Sequence, residues 1–259
     1  MWRARALEAR EIKLLQDVRE RHDLSPLAIH VSYLVNLASA DPVIRGKSIQ
    51  AFRGEFERAT AIGAEYLVLH PGSHRDRSVE EGIASFALAF RDAVEGLRPG
   101  GLTVLIENTA GAGAHLGSRF EELQSIAELI RDLAEVPVGF CLDTCHLFAA
   151  GFDISTAGGL RSTLRAIKET LGVSNVRLIH ANDSKAPFGS RVDRHANIGE
   201  GHIGLTGFRR ILAHPDLRGK PFILETPVEQ EGDDRRNLDT LKGLAALRRT
   251  TARRLIVPQ

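Results

Sequence analysis

Cysteine is nearly absent from this chain: of 259 residues only Cys141 and Cys145 are cysteines, and both stand in one run, CLDTC. A disulfide-stapled fold needs dispersed pairs, so the spacing argues for a reducing compartment, and a cytoplasmic location is expected. The two thiols resemble half of a thiolate zinc site, but no second pair completes it. Charge of one sign is also missing. The 34 Lys and Arg face 33 Asp and Glu, for a net charge of +1. No basic field covers the surface, and any polyanion must be held by local loops. No run approaches the roughly 20 apolar residues of a membrane span. The opening Arg3 and Arg5 lead into a charged amphipathic segment, which is unlike a signal peptide. What is present is the 43% hydrophobic and 26% charged content of a globular protein with material for a sizeable core.

Six short runs of β-branched and aliphatic residues recur: LAIH to His30, YLVLH to His70, TVLIE to Glu107, GFCLD to Asp143, VRLIH to His180 and FILE to Glu225. Between them lie amphipathic helical patterns. Ile49, Phe52, Phe56 and Ala59 share one face, as do Ile83, Phe86, Phe90 and Val94. Further helices are expected over residues 7–21, 120–133, 156–171, 206–212 and 238–247. Strands apolar on both faces, alternating with such helices, indicate a parallel sheet of βα units. A doubly wound open sheet and a barrel both satisfy that pattern. The choice rests on where the polar residues fall. Every run ends in His, Asp or Glu, and six such side chains converge only if the strands form a ring. The C-terminal rim of a ring is where barrel enzymes hold their sites. The expected fold is therefore an α/β TIM-type barrel forming one domain over residues 1–259. Only six of eight strands are written here. The leading strand–helix–strand, roughly 40 residues by the usual length of such a unit, is expected to be missing. A start codon lying further upstream is the favoured reason, and a chain that is truly short the other.

His30, His70, Glu107, Asp143, His180 and Glu225 form the strand-end set. His146, three residues after Asp143, and the pair Asp193 and His195 join them from loops. A lone strand-end His or Asp is more often a cap or a satisfied polar group, and DxxH or DxH alone is a weak signal. Nine such groups at one rim exceed what one tetrahedral ion requires and suit two or three. Mixed His and carboxylate donors without cysteine fit catalytic Zn²⁺, with Mn²⁺ or Fe²⁺ possible. His22, His74, His115, His202 and His214 are left over, with His74 and His202 expected nearest the site.

These residues resemble a known family. GFCLDTCH (139–146) and HANDSKAPFGSRVDRH (180–195) look like the signature motifs of endonuclease IV, the second class of apurinic/apyrimidinic endonucleases. HVSYLVNLAS (30–39), LHPGSH (69–74), IENTAG (106–111) and LETP (224–227) are similar to its other ligand segments. The likeness runs from Trp2 to about residue 247. It implies a DNA-repair enzyme that cuts the phosphodiester 5′ to an abasic site in duplex DNA, leaving a 3′-hydroxyl and a 5′-deoxyribose phosphate. It implies three zinc ions: His30, His70 and Glu107 on the first, with Glu107 bridging to a second held by Asp143, His180 and Glu225. His146, Asp193 and His195 would hold the third. Glu107 would set the spacing of the first two ions and Glu225 would help orient the attacking oxygen. Tyr33 and Leu34 stand where the family inserts a Tyr-Leu pair into DNA at the lesion. Arg75, Arg77, Lys185, Arg191 and Arg194 are candidate phosphate contacts, and a monomer is expected.

Two alternatives belong beside this reading. One is a metal-dependent sugar isomerase or epimerase on a similar barrel, which would carry fewer ions and an acid/base Lys or Glu. The intact third ligand set and the Tyr33–Leu34 pair argue against it. The other is an inactive or purely damage-binding chain, suggested by the short N-terminus. On that reading the missing strands leave an exposed sheet edge and the 259-residue chain is poorly soluble or inactive.

Overall fold

Runs this rich in apolar residues cannot sit half in water, and in the computed structural model all six form parallel strands, four of them (66–69, 103–107, 138–143 and 176–180) buried along most of their length and the short ones at 28–30 and 222–223 half-buried. The structure describes residues 5–254, with side chains described to residue 246. Trp2, where the family likeness begins, lies outside the described residues. The chain divides into two compact units: residues up to Asn108 with Gly113–Cys141, and Thr109–Ala112 with the chain from Leu142 onward.

In the first unit, β1 (Ala28–His30), β2 (Tyr66–Leu69), β3 (Thr103–Glu107) and β4 (Val138–Asp143) lie side by side in sequence order. Ala28 pairs with Tyr66, Tyr66 with Thr103, and Val104 with Val138. This in-register parallel pairing brings the C-terminal ends of β1, β2 and β3 to one edge. The helices are α1 (Ala9–His22), α2 (Pro42–Ala61), α3 (Val79–Val94) and α4 (Phe120–Leu133). Asp41 starts α2 by accepting the Val43 and Ile44 amides, with Pro42 pre-set for the first turn. Ser78 and Glu81 form a capping box on α3. The faces read from periodicity are the buried ones: Phe52, Phe56, Phe86 and Phe90 are all but inaccessible. Truncating any of them to alanine costs about 3–5 kcal/mol.

The second unit takes up the chain at the end of β4 and continues through α5 (Thr144–Ala149), α6 (Ala157–Thr170), β5 (Val176–His180), β6 (Asp183–Ser184), β7 (His195–Ala196), α7 (Gly204–Ala213), β8 (Phe222–Ile223) and α8 (Asp233–Arg254). β5 pairs parallel with β8, and β6 pairs antiparallel with β7. Several boundaries differ from those read in the sequence. β2 ends at Leu69, so His70 is the first residue past it, and β8 ends two residues short of Glu225. His146 lies on α5 and His195 on β7, where loops were expected. Six residues are too few to show a helical period, and a two-residue strand shows none at all. No described helix is long and apolar enough to cross a membrane.

Asp183 organises the loop after β7. Its buried carboxylate accepts the amides of Ser184, Gly199, Gly201, Ile203 and Gly204 at 2.8–3.4 Å. Residue 201 must be glycine for this, because a Cβ there would stand 2.5 Å from both Asp183 Oδ1 and the Ser184 carbonyl. Asp183→Asn puts an NH₂ among five N–H donors. We expect a loss of about 3 kcal/mol or more, read as a fall in Tm of roughly 6–12 °C. A melt within about 2 °C of wild type would show that the loop stands without this anchor.

Candidate metal centre

The register of β1, β2 and β3 brings His30, His70 and Glu107 together, with ligand atoms within 4.8 Å of one another. His30 Nε2 lies 2.9 Å and His70 Nε2 3.6 Å from the same oxygen, Glu107 Oε2. The two rings are tilted with centroids 5.1 Å apart. His30 Nδ1 is 2.7 Å from the Val31 carbonyl, which can only accept, so Nδ1 carries the proton. In the neutral ring Nε2 then turns its lone pair toward an anionic oxygen. Glu107 is fully buried, and a carboxylate taken out of water needs compensation. A cation shared by these three side chains would contribute to it, and the donor set fits zinc.

The second unit holds two further groups. Asp143, His180 and Glu225 have ligand atoms within 4.8 Å of one another, and His180 Nδ1 is 3.1 Å from Glu225 Oε2. Asp143, His146 and His195 form the other group, with Asp193 spanning the histidines: Oδ2 is 3.2 Å from His146 Nε2 and Oδ1 is 3.3 Å from His195 Nε2. His195 Nδ1 is 2.9 Å from the Glu225 carbonyl and donates to it. Its Nε2 is buried, finds no hydrogen-bond partner, and has Asp193 at 3.3 Å and Asp143 at 3.8 Å. An orphaned ring nitrogen between two carboxylates is what a metal ligand looks like without its metal. Burial opposes charge on both partners. The histidines nonetheless hold Asp193 well below the usual carboxylate range, and Asp193 and Asp143 push His195 up to about 9. Cys145 also lies within 4.8 Å of Asp193 and His195 ligand atoms. Burial and the Asp143 charge push its thiol up to about 12, and the thiol donates to the Arg194 carbonyl.

All nine ligand residues named from the sequence therefore fall into local groups: three in the first unit and six in the second. Tyr33 is 87% exposed and Leu34 half-buried. Their loop is braced at Asn36, whose carboxamide exchanges two hydrogen bonds with the Ser73 backbone, at 3.0 and 3.1 Å. Gly72, with φ +87°, leaves the room that Asn36 occupies. Arg75, Lys185, Arg191 and Arg194 are exposed, and Arg75 and Arg191 adopt left-handed backbone. Arg77 is half-buried, its guanidinium engaged by Ser85 and the Ala40 carbonyl. His74 bonds the Arg77 carbonyl through Nδ1, and His202 is exposed. Sequence reasoning passed over Asn182, a buried amide in contact with two ligand carboxylates. Its only signal was a polar residue two places beyond a strand-end histidine.

Residues 2–250 match the family model of the xylose isomerase-like TIM barrel. The chain is 68% identical to the probable endonuclease 4 of Solibacter usitatus over 245 residues, 95% of this chain and 84% of that protein. This chain belongs to the endonuclease IV family. A probable endonuclease 4 from Halothermothrix orenii is 41% identical over 87% of this chain and 80% of its own length. Among solved structures, endonuclease IV from Thermus thermophilus superposes with a TM-score of 0.80 at 37% identity, covering 94% of this chain and 84% of that one. The likeness to a D-tagatose 3-epimerase-like protein, TM-score 0.69 at 20% identity, extends to the fold alone. Endonuclease IV membership places the six parallel strands in a TIM-type barrel and removes the doubly wound sheet.

Proposed function

We propose that this chain is a DNA-repair endonuclease that hydrolyses the phosphodiester 5′ to abasic sites, with its nine ligand residues holding three zinc ions. Membership in the endonuclease IV family supports the activity. The observation that carries the metal reading is the set of His ring nitrogens and carboxylate oxygens gathered into local groups, with the buried Nε2 of His195 between two carboxylates. His30, His70 and Glu107 would hold one ion, Asp143, His180 and Glu225 a second, and His146, Asp193 and His195 a third. Glu107 as a ligand shared between two ions rests on the family resemblance. When bound, zinc supplies Lewis-acid activation of water and neutralises charge building on the phosphate and the departing 3′ oxygen.

The chain's own residues do the rest. Nδ1–H bonds to the carbonyls of Val31 and Glu225 fix the tautomers of His30 and His195. The Glu225 carboxylate, one-third exposed, is reachable by water and can take its proton. Lys185, Arg191 and Arg194 stand exposed to grip phosphates, so binding should weaken steeply with salt. An abasic nucleotide lacks stacking and pairing, and its extrusion costs a few kcal/mol less than that of a normal base. Tyr33, with Leu34 beside it, would fill the gap.

The reading is tested by incubating an abasic-site duplex and its intact counterpart with the protein, before and after chelation, with metal measured on the same sample. Incision of the abasic strand alone, lost on chelation and restored by zinc, is the expected result. A protein that epimerises a ketose and leaves the duplex whole would replace this reading with the sugar-enzyme one. Tyr33→Ala is expected to weaken binding to the abasic duplex about 10-fold while leaving metal content at the wild-type value. Unchanged preference for the abasic duplex would remove Tyr33 from lesion recognition.

A further inference from the structure

Asn182 lies two residues beyond β5 and is completely buried, in contact with two ligand residues of the second unit. Its Nδ2 is 2.5 Å from Asp143 Oδ2 and 3.4 Å from Glu225 Oε2. Its Oδ1 accepts the Glu225 backbone N–H at 2.8 Å. That last bond settles the orientation of the carboxamide. A backbone N–H can only donate, so the amide oxygen must face it and the NH₂ must face the carboxylates. The backbone of the same residue is locked as well. Thr144 Oγ1 accepts the Asn182 N–H at 2.8 Å and lies 2.7 Å from the Asn182 carbonyl and 3.2 Å from that of His180.

The consequence for Asp143 is specific. Its Oδ1 caps α5 by accepting the His146 amide at 2.7 Å, and its Oδ2 accepts from Asn182. Both oxygens are therefore engaged by protein donors, and the carboxylate cannot rotate without breaking a buried bond. At Glu225 the same amide grips the main chain and reaches the side chain, so the short β8, which stops at Ile223, need not fix that residue by itself. One side chain thus ties the ligand that ends β4 to the ligand that follows β8, next to the ligand that ends β5.

We propose that Asn182 is a positioning residue: its carboxamide sets the Asp143 and Glu225 carboxylates at the separation and orientation the second-unit metal ion requires. This deepens the reading of the chain as a metal-dependent endonuclease and rests on it. The donor hydrogens are what the role needs. Asn182→Asp keeps the shape and can still accept the Glu225 N–H, but it turns a third anion onto Asp143. Asn182→Ala removes both bonds.

The test uses full-length, zinc-loaded protein. Zinc retained against rising concentrations of a competing chelator is measured by element-specific mass spectrometry. kcat and KM on an abasic duplex, and the melting curve of the metal-free protein, are taken in parallel. Both variants are expected to lose one class of zinc 10–100-fold more readily than wild type, with kcat reduced and KM within about twofold, as when only the transition state loses support. A purely architectural role gives a different result. N182D, being isosteric, would then restore wild-type zinc retention and kcat, and only the metal-free melt of N182A would fall. That pattern overturns the proposal. If N182D does not melt cooperatively, Asn182→Ser carries the same comparison, since its hydroxyl is too short to span both carboxylates. A wild-type protein that binds no zinc and cuts no DNA overturns the endonuclease reading and this inference together. A wild type that does both, beside an N182D indistinguishable from it, overturns this inference alone.

Discussion

Glu107→Gln is expected to abolish incision, lowering kcat/KM on the order of 10³-fold or more, in a protein that still folds. The side chain is fully buried, with His30 Nε2 at 2.9 Å and His70 Nε2 at 3.6 Å from one of its oxygens. Glutamine matches glutamate in volume, so the core around β3 is not opened. What disappears is the negative charge that the proposed cation site needs. If a metal ion is the partner of this buried charge, removing the charge relieves a desolvation penalty in the metal-free state. The metal-free variant should therefore melt no lower than metal-free wild type. Incision assays and paired thermal melts, with and without zinc, separate loss of chemistry from loss of fold. Wild-type cutting by the glutamine variant would remove Glu107 from the centre. A variant that fails to fold even without metal would make it an architectural residue.

Stripping the metal from the wild-type protein is expected to be as severe, and to leave a signature in protons. Incision should fall to background and return with zinc. A ligand held at 1,000 times its Kd stabilises by about 4 kcal/mol, so the loaded protein should melt on the order of 10 °C higher. In the metal-free protein His195 is pushed up to about 9, so at pH 7.5 it carries a proton that a metal must displace. Zinc binding should release that proton, and affinity should fall as pH falls. Calorimetric titrations in buffers of different ionisation enthalpy count the protons directly. Binding with no proton release at pH 7.5 would exclude His195 as a ligand. The metal-free protein has its own pH dependence, and the signs are opposite for the two partners. The raised His195 contributes stability fully present below its unfolded value near 6.5 and lost as pH rises through about 9. The depressed Asp193 contributes stability present above the ordinary carboxylate value near 4 and lost as pH falls below it.

The strand-end positions of the candidate ligands were legible because one physical rule places them. A strand buried on both faces tolerates a charged residue only where it leaves the sheet, so TVLIE reads as a threonine, three apolar positions and then a candidate ligand, and the structure ends β3 at Glu107. The phenylalanine faces of α2 and α3 were legible through helical period for the same reason. The settings of His146 and His195 were not. α5 is a six-residue helix started by the ligand Asp143 itself, and β7 owes its strand character to pairing with Asp183 and Ser184, which lie more than ten residues away in sequence. Asn182 was illegible for a further reason. A residue that acts by holding others leaves no charge or spacing pattern of its own. Its partners, Asp143 and Glu225, stand 39 and 43 residues away.

The brace between Asn36 and the Ser73 backbone has a mechanical meaning. Tyr33 stands on the loop that leaves β1 at His30, Ser73 on the loop that begins at His70, and the carboxamide of residue 36 rivets the two across the gap. An aromatic side chain that is 87% exposed would ordinarily sweep a wide arc, yet this one is mounted on a frame whose other corners are two ligand histidines. The tip that would sense a missing base and the groups that would anchor an ion are therefore tied together through one carboxamide, for which Gly72 leaves the room. Any side chain at residue 72 would push against Asn36 and tilt the sensor while leaving the ligand list intact. Such a protein would keep its metal and lose its aim.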